Sequence, residues 1–126
     1  MFRFEKLDVW QLAVELADKV YRFTKVFPAD ERFGLTNQMR RAAVSISSNI
    51  AEGSGRVSDK DFARFVEISY GSLMEVVSQA AIAHRQHFLA KEVYEDIYSD
   101  SEELARMLSG LRTTLLQNNS LAHSGS

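Results

Sequence analysis

Phe62, Val66, Ser69, Leu73, Val76, Ala80, Ala83 and His87 recur three and four residues apart without a break. That spacing places one apolar or small side chain on the same side of a helix at every turn. It predicts a continuous helix from Asp59 to about Phe88, roughly 30 residues or about 45 Å long. An amphipathic rod of this length gains its stability by laying its seam against other helices. Ser58-Asp59-Lys60-Asp61 opens it like a capping box, with aspartate in the reaching position.

Three further stretches carry the same period, and the chain has a single proline, Pro28. The first is expected from Asp8, a candidate N-cap, to about Val26. Leu7, Trp10, Val14, Ala17, Tyr21 and Thr24 form its stripe, widened by Ala13, Val20, Phe23 and Phe27. Phe27-Pro28 ends it, because the residue before proline avoids helical angles. The second is expected from Leu35 to Glu52, capped by Asp30 or Thr36 and stopped by Gly53-Ser54-Gly55. The fourth runs from about Lys91 to Leu116 on Val93, Ile97, Leu104, Met107, Leu108, Leu111 and Leu115, with Asp100 interrupting the seam. Four amphipathic helices joined by short turns predict an all-α, antiparallel up-and-down four-helix bundle over residues 1–117. Residues 118–126 are polar and aperiodic and are expected to form a disordered tail.

The second helix has an unusual make-up. Gln38-Met39-Arg40-Arg41 leads into Ala42-Ala43-Val44-Ser45-Ile46-Ser47-Ser48-Asn49-Ile50-Ala51-Glu52-Gly53. Small side chains let neighbouring backbones come close, and they waste helix surface unless something packs tightly on them. Ala43, Ser45, Ser47, Asn49, Glu52 and Gly53 are therefore expected to serve helix packing or self-association. Asn49 is expected to be a buried amide that fixes register or oligomer geometry. Glu52 sits in the last turn, where the macrodipole disfavours an anion, so an ion pair or cap across the turn is expected there. Gly71, inside the third helix, costs about 1 kcal/mol relative to alanine. A second backbone approaching at that point would account for it.

Chemistry on a small molecule finds little support. The chain has no cysteine, hence no disulfide, thiolate metal site or thiol nucleophile. His84 and His87 lack the Glu-x-x-His pattern of a di-iron bundle and read as a surface or helix-end feature. Gly53-Ser54-Gly55-Arg56 lacks the lysine and spacing of a phosphate loop. No histidine pairs with Ser45, Ser47, Ser48 or Ser72 by local motif. The expectation is a non-enzymatic protein with no metal and no cofactor. Neither a signal peptide nor a membrane span is read, so a cytoplasmic location is expected.

The net charge of −2 argues against strong nonspecific binding to nucleic acid. Its distribution is uneven: residues 1–72 hold 11 Lys/Arg against 10 Asp/Glu, and residues 73–126 hold 4 against 7. Arg40, Arg41, Arg56 and Arg64, with Arg32 nearby, admit two readings. They form a guanidinium cluster that grips phosphates, or a solvated face paired with Glu31, Glu52 and Glu67. The similar number of acids favours the second on residue grounds alone. Phe33, Tyr70, Tyr94 and Tyr98 are candidates for base stacking, although aromatics at helical spacing usually belong to a core.

Phe33-Gly34-Leu35, Gln38 to Ile46 and Ser48-Asn49-Ile50-Ala51-Glu52-Gly53 together resemble the signature of the 23S rRNA-intervening sequence proteins. Leu7-Asp8-Val9-Trp10 is similar to that family's opening helix and Phe27-Pro28 to its first turn. Gly55-Arg56, Phe62, Phe65 and Gly71-Ser72-Leu73-Met74-Glu75 are similar to its third helix. The match covers about residues 5–116. It departs at Ser47, where the family often has proline, near Val77, where it tends to carry a second glutamate, and near His87-Phe88, where it tends to carry glycine-tyrosine. The resemblance implies a bacterial, all-helical subunit that assembles into a ring, commonly a homopentamer, and association with RNA or a nucleoprotein. Two expectations follow: RNA binding through Arg40, Arg41, Arg56 and Arg64, or a scaffold that binds only its own copies or a protein partner.

Overall fold

The computed structural model describes residues 1–124, with side chains through residue 118. The protein is all-α. Its helices are α1 (Asp8–Thr24), α2 (Leu35–Ser54), α3 (Asp59–Arg85) and α4 (Lys91–Ser124). Short 3-10 turns at Arg3–Lys6 and Ala29–Glu31 precede α1 and α2, and no strand occurs among the described residues.

Each helix packs on the next, and α1 closes against α4. The contacts climb one helix as they descend its neighbour. Along α2 and α3, Gly53 meets Phe62 and Phe65, Ser69 Oγ donates to the Ile46 carbonyl at 2.9 Å, and Ser45 meets Ser72. Between α3 and α4, Arg112 reaches back to Glu67.

The tightest contact is at Gly53. A Cβ added there would lie 2.6 Å from Phe65 Cβ and 2.9 Å from Phe62 Cδ1. The glycine expected to stop α2 is therefore a packing residue inside it, and the helix runs one residue further, to Ser54, before Gly55. Neither Asp30 nor Thr36 caps the start of α2. Glu31 does so, its Oε2 accepting from the Leu35 amide at 3.0 Å, while Thr36 is buried within the helix.

The α3 seam is buried from Phe62 through Ala83. Ser58 caps it, its hydroxyl accepting from the Asp61 amide at 3.1 Å. The seam stops short of His87, which is exposed at φ 64°. His87 and Phe88 amides donate back to the His84 and Ala83 carbonyls at 3.0 and 2.9 Å, closing the helix in a Schellman turn. Phe88 then packs on Phe27, ring centres 5.5 Å apart.

The buried row of α1 is Val9, Ala13, Leu16, Val20 and Thr24. The expected row is rotated from it: Leu7, Trp10 and Ala17 flank the core and Tyr21 is exposed. The polar row Gln11, Glu15, Asp18, Arg22 and Lys25 is fully on the solvent side, and it is this row that sets the opposite, buried centre. Asp8 opens α1 as its first residue and is not its cap, a position taken by Leu7.

Asp100 interrupts the α4 seam because it reaches Lys19 Nζ at 2.6 Å, with Asp96 at 2.8 Å from the same nitrogen. The hydrogen bonds that Lys19 Nζ donates, first to Asp100 and then to Asp96, hold its ammonium above the usual lysine range. The helix also continues through residues expected to be irregular, from 118 to Ser124. No proline or glycine intervenes before Gly125, and extending an established helix takes far less than nucleating one. Residues 125 and 126 of the expected tail lie outside the described residues.

Three expected outcomes concern stability. Gly53→Ala, forced onto Phe65, lowers the urea midpoint by the equivalent of about 1–3 kcal/mol. Gly71→Ala, where a Cβ meets nothing of its own protomer within 4 Å, raises the midpoint of the isolated protomer by about 1 kcal/mol. His87→Gly relieves a left-handed residue and raises thermal stability by about 1 kcal/mol; no change in the melting temperature would contradict that turn geometry.

Candidate functional site

The small residues of α2 are spent mostly inside the chain. Ala43 and Gly53 are buried, Ala43 in the core and Gly53 against Phe65. Ser45 Oγ lies 2.8 Å from Ser72 Oγ of α3. Asn49 Nδ2 donates to the Ser45 carbonyl at 2.8 Å and to Ser45 Oγ at 3.0 Å. Asn49 is half-buried, so it does not act as a core amide; it completes a hydroxyl–hydroxyl–amide chain along the α2–α3 seam. Ser47 donates to the Val44 carbonyl at 3.1 Å on the α1 side.

Glu52 forms the expected pair across the turn, with Arg56 at 3.1 Å. Gly71 departs from expectation. It is exposed, and among the described residues nothing lies within 4 Å of where its Cβ would stand. The backbone approach inferred from its presence occurs at Gly53.

The four arginines fall into two groups. Arg56 and Arg64 both lie over the Phe65 ring, at 4.6 and 5.6 Å from its centre. Each also carries an acid, Glu52 for Arg56 and Asp61, at 3.0 Å, for Arg64. Arg40 and Arg41 lie on α2, sixteen and fifteen residues before Arg56 and about 22–24 Å from it at helical rise. Arg40 is held against α1, its Nε donating to Thr24 Oγ1 at 2.9 Å and its guanidinium over Tyr21 at 4.7 Å. Arg41 is exposed and has no acidic partner among the described residues. One protomer therefore does not assemble the four into a continuous basic patch.

Arg41 opens onto a polar cleft of about 360 Å³ between α2 and α3. Asn37, Gln38 and Ser45 line it from α2, and Ser72, Glu75 and Gln79 from α3. Glu75 is exposed and has no cationic partner among the described residues. Gln79 Oε1 is sealed from water and receives no hydrogen bond. Reasoning from sequence met Glu75 only within the Gly71–Glu75 run of the resemblance and gave neither it nor Gln79 a role in a site. Their spacing was a further signal: one turn apart, they flank the α3 seam at Val76 and Ala80 on the side that Ser72 shares.

The remaining candidates are structural. His84 stacks on Tyr94, ring centres 4.7 Å apart, at the α3–α4 end, and Tyr94 adjoins Tyr98. Among the described residues, no group of three or more His, Cys, Asp or Glu side chains is arranged to hold a metal ion. No helix there is long and apolar enough to cross a membrane.

The Ser45–Ser72 contact predicts a coupling. Ser45→Ala and Ser72→Ala should each cost about 1 kcal/mol. The double variant should cost less than their sum, because Ser45→Ala alone already strands the Ser72 hydroxyl, while Ser45 Oγ without Ser72 still accepts from Asn49. Strict additivity in urea titrations would show the hydroxyls do not interact.

Comparison with known proteins gives two findings. A solved structure titled as a protein with unknown function from the S23 ribosomal protein family of Bacteroides thetaiotaomicron superposes with a TM-score of 0.74 at 25% identity, covering 82% of this chain and 97% of that one. No curated protein matches. The model of the 23S rRNA-intervening sequence proteins matches residues 5–110, a span that holds α1, α2, α3 and most of α4. By that match the chain belongs to the 23S rRNA-intervening sequence protein family.

Proposed function

We propose that the protein is a non-enzymatic, antiparallel up-and-down bundle that assembles into a ring of identical copies, of the pentameric kind, and associates with RNA in the cytoplasm. The observation that carries the RNA reading is Arg41: a guanidinium on the α2 surface, in no ion pair among the described residues, at the mouth of a cleft lined mostly by polar side chains, with Ala42 and the Glu75 carboxylate among them. The family's description and the neighbour's membership of a ribosomal protein family point to the same class of partner. A net charge of −2 leaves one Arg41 per protomer as a weak grip. Ring symmetry would repeat that grip, and avidity would compensate.

Self-association is supported by the outward side of α3. Gly71 stands open, with Ile68 and Met74 exposed beside it at 47% and 40%. A helix-centre glycine with no contact in its own chain is accounted for by a neighbouring copy laid across it. A second reading, a scaffold that binds only itself or a protein partner, is favoured by the acids on Arg56 and Arg64, which cancel the charge at that end of the α2–α3 pair.

The readings separate in one pair of measurements. Sedimentation velocity should find an oligomer at micromolar concentration, and Gly71→Arg should dissociate it while the fold survives. Binding to a structured ribosomal RNA fragment should weaken with added salt, and Arg41→Ala should lower the affinity about tenfold. Wild-type affinity in Arg41→Ala would sink the RNA reading and leave the scaffold. A monomer would sink both.

A further inference from the structure

We propose that the α2–α3 cleft binds the base of an unpaired guanosine, with Glu75 reading its Watson–Crick edge and Arg41 its carbonyl side. This inference rests on the RNA reading above and specifies what that contact recognises. It starts from which groups in the cleft are free to select a ligand. The hydroxyls on its floor are not: Ser45 Oγ takes the Asn49 amide at 3.0 Å and shares a hydrogen bond with Ser72. Arg41 and Glu75 carry opposite charges into one cleft without pairing with each other or with any other charged side chain described. Gln79 Oε1 has no donor among the described residues.

These groups set the ligand's chemistry. One cation and one anion make the cleft neutral overall, so it favours a neutral group with separated donors and acceptors over a bare phosphate or a cation. A carboxylate has two acceptor oxygens and is best matched by two adjacent N–H donors. Among the four RNA bases only guanine offers such a pair, N1–H beside the N2 amine. Adenine and cytosine place a ring acceptor beside their amine, which a carboxylate repels. Uracil has one N–H between two carbonyls. Guanine's adjoining edge carries O6 and N7, the acceptors that arginine engages as a fork. Ala42 adds an apolar wall for the ring, and about 360 Å³ falls within the usual range of ligand sites.

The test uses fluorescence anisotropy with the full-length protein and short labelled single-stranded RNAs. One carries a single guanosine in an adenosine run, one has inosine in its place, and one is all adenosine; unlabelled GMP serves as competitor. The guanosine RNA should bind about tenfold tighter than the adenosine RNA, with inosine, which lacks the N2 amine, between them. Glu75→Gln should abolish the preference from both sides, weakening the guanosine RNA and tightening the adenosine RNA once the carboxylate facing adenine's ring acceptor is gone, with the melting temperature unchanged. Arg41→Ala should weaken all three. GMP that competes as well as the guanosine RNA would identify the free nucleotide as the ligand, and GMP that fails to compete would identify RNA. Binding of GMP without RNA binding would retain the cleft assignment and remove the RNA reading. Equal affinity for guanosine and adenosine RNAs, a preference that survives Glu75→Gln, or no binding of any of these probes would overturn the proposal.

Discussion

The close approach of α2 to α3 at Gly53 governs the rest of the molecule. With a Cβ excluded by Phe65 and Phe62, the two helices meet nearly backbone to side chain at one end. The small residues further along then have a reason to be small. Ser69 donates across the seam to the Ile46 carbonyl, and the Ser45–Ser72 pair sits one turn beyond it. A stripe of alanine, serine and glycine on an otherwise ordinary helix is the signature of that intimacy. α2 and α3 behave as one hairpin against which α1 and α4 are laid.

That hairpin also places the polar groups that packing cannot use. Where the seam is tight, at the Gly53 end, charged residues are turned outward and neutralise one another around Phe65. At the other end no glycine draws the helices together, and a cleft remains between Gln38 and Arg41 on one side and Glu75 and Gln79 on the other. Arg41, Glu75 and the Gln79 acceptor lie at that end without partners among the described residues.

Much of this was legible in the sequence, because helical period and turn residues are local. The α3 seam, the Ser58 cap, the Glu52–Arg56 pair and the number of helices were all readable from spacing. The errors arose where a distant partner decides. The centre of α1 was misjudged because Leu7, Trp10 and Tyr21 look like core residues until Gln11, Glu15 and Asp18 are recognised as the solvent row. Gly71 and Gly53 were given the same role, and only the neighbouring helix distinguishes a glycine under Phe65 from one facing open space. Arg40 looked free until Thr24 of α1 came beside it. The departure near His87-Phe88 from the family's glycine-tyrosine pattern has a physical meaning: His87 holds the left-handed position that glycine occupies without strain.

If the α2–α3 hairpin is the structural unit, its seam should be the last part of the protein to open. Native-state hydrogen exchange measures this directly. The amides of Ala43, Ile46, Ile50, Val66, Ser69 and Leu73 should exchange only through global unfolding, with free energies equal to the full stability. Exchange of these amides through smaller openings, while those of α1 stay protected, would contradict the account.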